Sequence, residues 1–259
     1  MKKATTIAET QGFKLIHGIV DSMWLQKNNA PDHEYEELCR QIERKLHLPI
    51  SFEGRYKWIV FLNSRVDHRI PVLNRYYGVF SNGKLKVRGI ELRRHDTPGI
   101  IGKCQSDILT ILSQANNSHE FKELIPKALG VMEHYIALLR TGRVSTEDLV
   151  IEKRLSKNPE EYRNHIEQAI AATHLVSEGG SIHAGQSINY IITNSRPRIL
   201  ENRSLPPELI DENTRYDAER YVKLLRASMM NLLQPLQIEV SRTTLASNNY
   251  FHERYVAHQ

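Results

Sequence analysis

The segment NRYYGVFSNGKLKVRGIEL, at residues 74–92, is the feature of the sequence that most constrains the fold. Two runs rich in β-branched and aromatic residues flank Asn82-Gly83, a dipeptide typical of a type I′ turn between antiparallel strands. The run RYKWIVFL at residues 55–62 has the composition of a buried strand. The sequence therefore predicts an antiparallel sheet in the first third of the chain.

Shorter elements are predicted before this sheet. Two short strands at residues 13–16 and 22–26 flank a turn that ends at Asp21. A helix is expected within residues 30–49, because Asp32 is a suitable N-cap and the charges change from acidic to basic along the segment. These elements would place the Asp21 carboxylate at the tip of a hairpin.

After Asp96 the pattern changes from strands to helices. Apolar residues recur at helical spacing within residues 105–115, 121–142, 158–180 and 216–236, and a short strand is predicted at residues 185–193. This change makes residue 96 the best domain boundary. The expected fold class is α+β, with an antiparallel sheet and a packed helix in residues 1–95 and a mostly helical domain in residues 96–259.

Composition narrows the class of protein further. Cys39 and Cys104 are the only cysteines among 259 residues. Because they are few and lack metal-ligand spacing, they argue against a disulfide scaffold or a zinc site. They favour a reducing, cytoplasmic location. Because no apolar run reaches about 18 residues, no membrane span is expected. The net charge of +5 permits an anionic partner but does not prove one.

Four motifs, in order, resemble motifs of family-B DNA polymerases. HGIVDS at residues 17–22 resembles the tyrosine-glycine-aspartate-threonine-aspartate-serine motif of the polymerase palm. Residues 73–98 resemble the next segment, which in the family contains a lysine-lysine-x-tyrosine primer contact and a glutamate-x-x-arginine-arginine-aspartate pattern. Residues 148–193 resemble the thumb, and RYDAERYVKLL at residues 215–225 is similar to the closing helix of archaeal members.

This resemblance implies the C-terminal half of a palm in residues 1–95, a thumb in residues 96–259, and template-directed nucleotidyl transfer with two Mg²⁺ ions. The second aspartate of the palm motif corresponds to Asp21, which would be a catalytic residue and a metal ligand. The first corresponds to Ile19, which cannot bind a metal. In the family this first aspartate is mostly not a direct ligand, so its loss weakens the site without clearly abolishing it. The alternative for Asp21 is a solvent-facing turn residue.

The resemblance also implies contacts with primer–template DNA. The paired lysines of the family correspond to Leu73 and Asn74. Phosphate contacts would position the duplex without reading its sequence. The alternatives are a solvated hairpin face with an internal salt bridge and, in the thumb, an ordinary helix surface. The residues assigned to DNA binding are Asn74, Arg75, Tyr76, Lys86, Arg88, Arg94, Lys153, Arg154, Tyr162 and Arg163.

Several parts of such a polymerase have no counterpart in this sequence: the earlier palm motif with its aspartate, the finger helix with its nucleotide-binding lysine, and any exonuclease domain. We therefore expect a separate chain that carries these N-terminal parts, and we expect the isolated chain to be inactive. A second hypothesis is a non-catalytic duplex-DNA-binding or assembly module, a polymerase remnant. Ile19 and the lost lysines favour the second hypothesis, whereas Asp21 and Ser22 favour the first.

Overall fold

The computed structural model describes residues 1–64, 70–196 and 203–233, and the side chain of Leu73 lies outside this description. The helices are α1 Lys2–Thr10, α2 Asp32–Leu46, α3 Gly99–Leu112, α4 Ser118–Arg140, α5 Thr146–Leu149, α6 Glu167–Ser177 and α7 Ala218–Leu233. The strands are β1 Lys14–Ile19, β2 Ser22–Gln26, β3 Tyr56–Asn63, β4 Pro71–Phe80, β5 Leu85–Arg88, β6 Ile151–Arg154, β7 Ser187–Ile192 and β8 Ser204–Leu205. In these ranges no helix is long and apolar enough to cross a bilayer.

The strands form three antiparallel sheets with the orders β1-β2, β3-β4-β5 and β6-β7-β8. The antiparallel pairing and the helix-rich second half confirm the predicted α+β class. No sheet of the described residues crosses residue 96. The division into residues 1–95 and 96–259 nevertheless stays a prediction, since buried side chains from both sides of residue 96 share one core.

The two faces of the β3–β4 pair are covered by different elements, because successive side chains of a strand point to opposite faces. On one face, the Trp58 ring lies 4.7 Å from that of Phe121 on α4, measured between ring centroids. On the other face, Tyr76 packs edge-on against Trp24 of β2 at 5.2 Å. The central sheet thus lies between the helices of the second half and the β1–β2 hairpin.

The opposite side of the β1–β2 hairpin is covered by α1 and α2. Met23 and Leu25 of β2 pack against a small separate core. The buried members of that core are Ala4, Ala8, Phe13, Leu38 and Ile42. The hairpin is therefore held between a helical layer and the central sheet, which fixes the direction in which its tip points.

The turn between β4 and β5 differs from the predicted type I′ turn. Such a turn needs positive φ at both central residues, but Gly83 has a φ of 83° and Asn82 is not among the described non-glycine residues with positive φ. The Gly83 N–H donates to the Phe80 carbonyl at 2.8 Å, and the Phe80 N–H donates to the Lys84 carbonyl at 3.0 Å. The loop is thus a three-residue connection with a left-handed glycine. The hairpin itself was predicted correctly.

The predicted N-cap of α2 is wrong, because the Asp32 side chain pairs with another part of the chain instead of capping the helix. Asp32 is the first residue of α2 and pairs with Arg55 at 2.6 Å, while Pro31 occupies the N-cap. In the second predicted helix, residues 158–180, Asn158 is the N-cap of a short 3-10 turn, and its N–H donates to Glu161 Oε2 at 2.8 Å. Its side-chain oxygen also accepts from the Ala184 N–H at 3.0 Å. Helix α6 begins later, at Glu167, after an extended break.

A buried hydrogen bond joins the central sheet to the last described helix. The Tyr77 hydroxyl, on a side chain that is 0% exposed, donates to the Leu232 carbonyl of α7 at 2.9 Å. Tyr77→Phe removes the donor and leaves a buried carbonyl unsatisfied, so we expect the free energy of unfolding in urea to fall by about 1–2 kcal/mol.

The matched control is Tyr135→Phe, whose hydroxyl donates to Asp107 at 2.7 Å on the protein surface. There water replaces the lost partner, and we expect a change below about 0.5 kcal/mol. Equal effects of the two substitutions would contradict the role assigned to Tyr77 in joining the two halves of the chain.

Candidate functional site

Asp21 lies at the tip of the β1–β2 hairpin, where Ile19 pairs with Ser22. Its side chain is exposed and accepts a hydrogen bond from the Ser22 hydroxyl at 3.2 Å. The adjacent Val20 is 94% exposed. The tip therefore presents one carboxylate to solvent beside an apolar side chain, as the sequence predicted for the position of Asp21.

Aromatic packing supports this tip in addition to the strand pairing of the hairpin. The His17 ring is buried and lies 4.2 Å from Phe61 and 5.2 Å from Trp24, measured between ring centroids. Near the turn, a Cβ added at Gly18 would meet the Met1 sulfur at 3.7 Å. The hairpin below the tip thus packs against the central sheet on one side, and Gly18 lies near Met1 on the other.

A magnesium ion needs several oxygen ligands, usually carboxylates and waters. Among the described residues no group of three or more His, Cys, Asp or Glu side chains could hold a metal ion. Asp21 can supply one carboxylate, but the residues present do not form a magnesium site by themselves. Further ligands would have to come from other residues.

The predicted DNA contacts of the β4–β5 hairpin have different surroundings. Lys86 pairs with Glu53, and the Arg75 Nε donates to the Gly89 carbonyl at 3.0 Å. Asn74 and Arg88 are exposed, and in the described parts of the chain Arg88 has no ion-pair partner. Arg88 is therefore available to a phosphate.

Tyr76 lies directly across from Arg88 in the β4–β5 register but is only 1% exposed. Its ring packs against Trp24 and Phe61, at centroid distances of 5.2 and 5.9 Å. In this conformation the Tyr76 side chain has no surface for the predicted contact with DNA. Its observed contacts support the β1–β2 hairpin that carries Asp21.

The structure brings Arg94 and Lys153 together at one carboxylate, that of Asp96. Arg94 donates to both Asp96 oxygens, from Nε at 2.8 Å and from Nη2 at 2.7 Å. The Lys153 ammonium of β6 donates to Asp96 Oδ2 at 2.5 Å. The Arg94 guanidinium, aided by Lys153, holds the pKa of the Asp96 carboxyl well below its usual range. Asp96 also raises the pKa of Arg94.

The remaining predicted contacts lie around the β6–α6 connection. Arg154 is exposed, and its Nε donates to the Gly185 carbonyl at 2.7 Å. The Tyr162 hydroxyl accepts from the Ser156 N–H at 2.9 Å, and its ring is partly buried against the core. Arg163 is exposed just before α6. Arg154 and Arg163 are accessible to a phosphate, whereas Tyr162 mainly orders the loop.

The link from Asp96 to Lys153 was not predicted from the sequence. An internal salt bridge near Arg94 was only an alternative to DNA contact in the sequence analysis, with no partner named, and Lys153 lies 57 positions from Asp96. Only the fold brings β6 beside the segment that leads into α3. A short pattern carries no signal for this pairing, because it depends on how distant elements pack.

Comparison with known proteins places these observations in a family. The chain is 28% identical over 216 residues to the DNA polymerase of Archaeoglobus fulgidus, covering 82% of this chain and 25% of the relative. It is 29% identical over 230 residues to the DNA polymerase of Methanocaldococcus jannaschii, covering 85% of this chain and 13% of that protein. The chain thus spans a quarter or less of the length of these relatives.

The fold is similar to that of a solved family B DNA polymerase from the hyperthermophilic archaeon Pyrobaculum calidifontis, with a TM-score of 0.62 and 19% sequence identity. That match covers 89% of this chain and 28% of the polymerase. The sequence model of DNA polymerase family B matches residues 2–236, which is most of the chain. The chain therefore belongs to DNA polymerase family B.

Proposed function

We propose that this chain is the C-terminal palm and thumb part of a DNA-directed DNA polymerase. In this proposal it takes part in template-directed nucleotidyl transfer only when completed by polymerase parts outside these 259 residues. A separate chain that carries these parts is their proposed source. The observation that carries the proposal is the exposed Asp21 carboxylate on a packed hairpin tip, in a chain matched by the family over residues 2–236.

In the completed polymerase, Asp21 would contribute one carboxylate ligand to Mg²⁺, because hard cations prefer carboxylate oxygens. Bound Mg²⁺ would supply charge stabilisation at the transferred phosphoryl group. The role of this chain would be to hold the Asp21 carboxylate at a fixed position on the surface. The rings of His17, Trp24 and Phe61 support that position.

Primer–template DNA is the proposed partner of the cationic residues. Arg88, Arg154 and Arg163 are exposed and could donate to phosphates. Such contacts would hold the duplex without sequence preference. The predictions for Lys86 and Lys153 also stay open, since each pairs with a carboxylate and still has ammonium N–H groups available.

A second candidate function is a non-catalytic duplex-binding or assembly module. Ile19 favours it, because an isoleucine at the hairpin tip can neither bind a metal nor accept a hydrogen bond. The two candidates make different demands on Asp21: catalysis needs its negative charge, whereas duplex binding does not.

The first test concerns the charge of Asp21. We expect primer extension by this chain together with its completing part to fall by orders of magnitude in Asp21→Asn, since the amide keeps the shape but loses the charged ligand. Ile19→Asp should raise activity or leave it unchanged, because a second carboxylate strengthens the local field for cations. The isolated chain should not extend primers.

The matched control for this test is Glu9→Gln, which removes an exposed carboxylate from α1 in the same part of the chain. It should leave primer extension unchanged. If Asp21→Asn were as active as the wild type, Asp21 would be a turn residue only. If no completing part gave activity, even with Ile19→Asp, the non-catalytic candidate would replace the catalytic one.

The second test concerns the duplex. Each neutralised phosphate releases counterions, so the logarithm of the affinity should fall linearly with the logarithm of the salt concentration, by about 0.9 per contact. Arg88→Ala should weaken binding of a primer–template duplex and reduce this slope by about one contact. Fluorescence anisotropy titrations at several salt concentrations would measure both quantities.

Lys127→Ala is the control for Arg88→Ala, because Lys127 is an exposed cation on α4 to which no DNA contact is assigned. It removes the same charge and should leave the slope unchanged. Affinity that does not depend on salt, or equal slopes for the wild type and Arg88→Ala, would count against the proposed duplex contact.

A further inference from the structure

We infer that Asp96 is a positioning residue that holds Arg94 and Lys153 together as one phosphate-binding pair. The inference rests on the proposed function, since its ligand is a backbone phosphate of the duplex. It adds a role for a residue that was not assigned to DNA binding. It also makes Arg94 and Lys153, which are far apart in the sequence, act as one unit.

The geometry around Asp96 is specific. Arg94 makes a two-pronged contact with the carboxylate, which fixes the plane of its guanidinium. Lys153 approaches Oδ2, the oxygen that also accepts from Arg94 Nη2. Both cations are thus directed to one side chain, and the two cationic groups are neighbours even though they repel each other.

The cations remain available to a ligand. The Arg94 and Lys153 side chains are 48% and 38% exposed, whereas that of Asp96 is 28% exposed. A guanidinium and an ammonium each have more N–H donors than these contacts use. The three groups together have a net positive charge, so a phosphate could accept from both cations while Asp96 stays in place.

A purely electrostatic role of Asp96 and a positioning role predict opposite effects of replacing it. Replacing Asp96 by asparagine removes a negative charge beside two cations, and a purely electrostatic effect would strengthen the binding of DNA. If Asp96 acts by ordering Arg94 and Lys153, the same substitution weakens binding, because the phosphate must then order both flexible side chains itself. The sign of the change in affinity therefore separates positioning from simple charge.

The experiment compares Asp96→Asn with Asp148→Asn in duplex-binding titrations on the full chain, at a temperature where circular dichroism shows every variant folded. Asp148 is a matched control because it pairs with Lys103 at 2.7 Å, and no DNA contact is assigned to that lysine. Both substitutions change the net charge equally. We expect Asp96→Asn to bind about fivefold more weakly, from lost pre-organisation of two side chains, and Asp148→Asn to bind as tightly as the wild type or more tightly.

A second comparison excludes a general structural effect. In an Arg94→Ala, Lys153→Ala background, Asp96 has neither cation to position, so Asp96→Asn should then tighten binding slightly. A loss of affinity that persists in this background would overturn the inference. Equal or tighter binding by Asp96→Asn in the otherwise wild-type chain would overturn it as well.

Failure of this inference differs from failure of the proposed function. If Arg88→Ala weakens the duplex complex and Asp96→Asn does not, the phosphate-binding pair is wrong while duplex binding stands. If the wild type shows no salt-dependent affinity for the duplex, the proposed duplex binding and the inference fail together.

Discussion

The burial of both faces of the β3–β4 pair is the constraint on which the rest of the structure depends. Trp58 and Tyr77 face the helices of the second half, and the Trp58 indole N–H also donates to the Ala115 carbonyl at 3.1 Å. Tyr76 and Phe61 face the β1–β2 hairpin. Because this pair lies in the middle, the hairpin that carries Asp21 and the helices after residue 96 rest on the same two strands.

The sequence predicted the elements whose signals are local. The β4–β5 hairpin, strand β3 and the helices α4 and α7 follow from side-chain periodicity and composition, and all of them form. One error occurred where a local signal competes with a distant contact. Asp32 resembles an N-cap but is the first residue of α2 and pairs with Arg55.

In the candidate site, too, local features could be predicted and contacts between distant residues could not. The exposed tip at Asp21 could be predicted, since a turn between two short strands places its residues in solvent. The ion-pair partners of the cationic residues could not be predicted from the sequence. Lys86 and Lys153 count as simple positive charges in the sequence, but the fold gives each a carboxylate partner. The accessible charge of the proposed DNA-binding surface therefore depends on packing as well as composition.

The position of Asp21 also depends on packing. Its hydrogen bond in the described structure comes from the neighbouring Ser22, which belongs to the same turn and cannot fix the turn in space. The direction of the tip is instead set by His17, Trp24 and Tyr76, through rings that contact the central sheet. These rings lie below the tip and fix the direction of the hairpin that carries the exposed carboxylate. In the proposed completed site, further ligands would therefore have to reach a carboxylate at the tip of a hairpin whose direction these aromatic contacts determine.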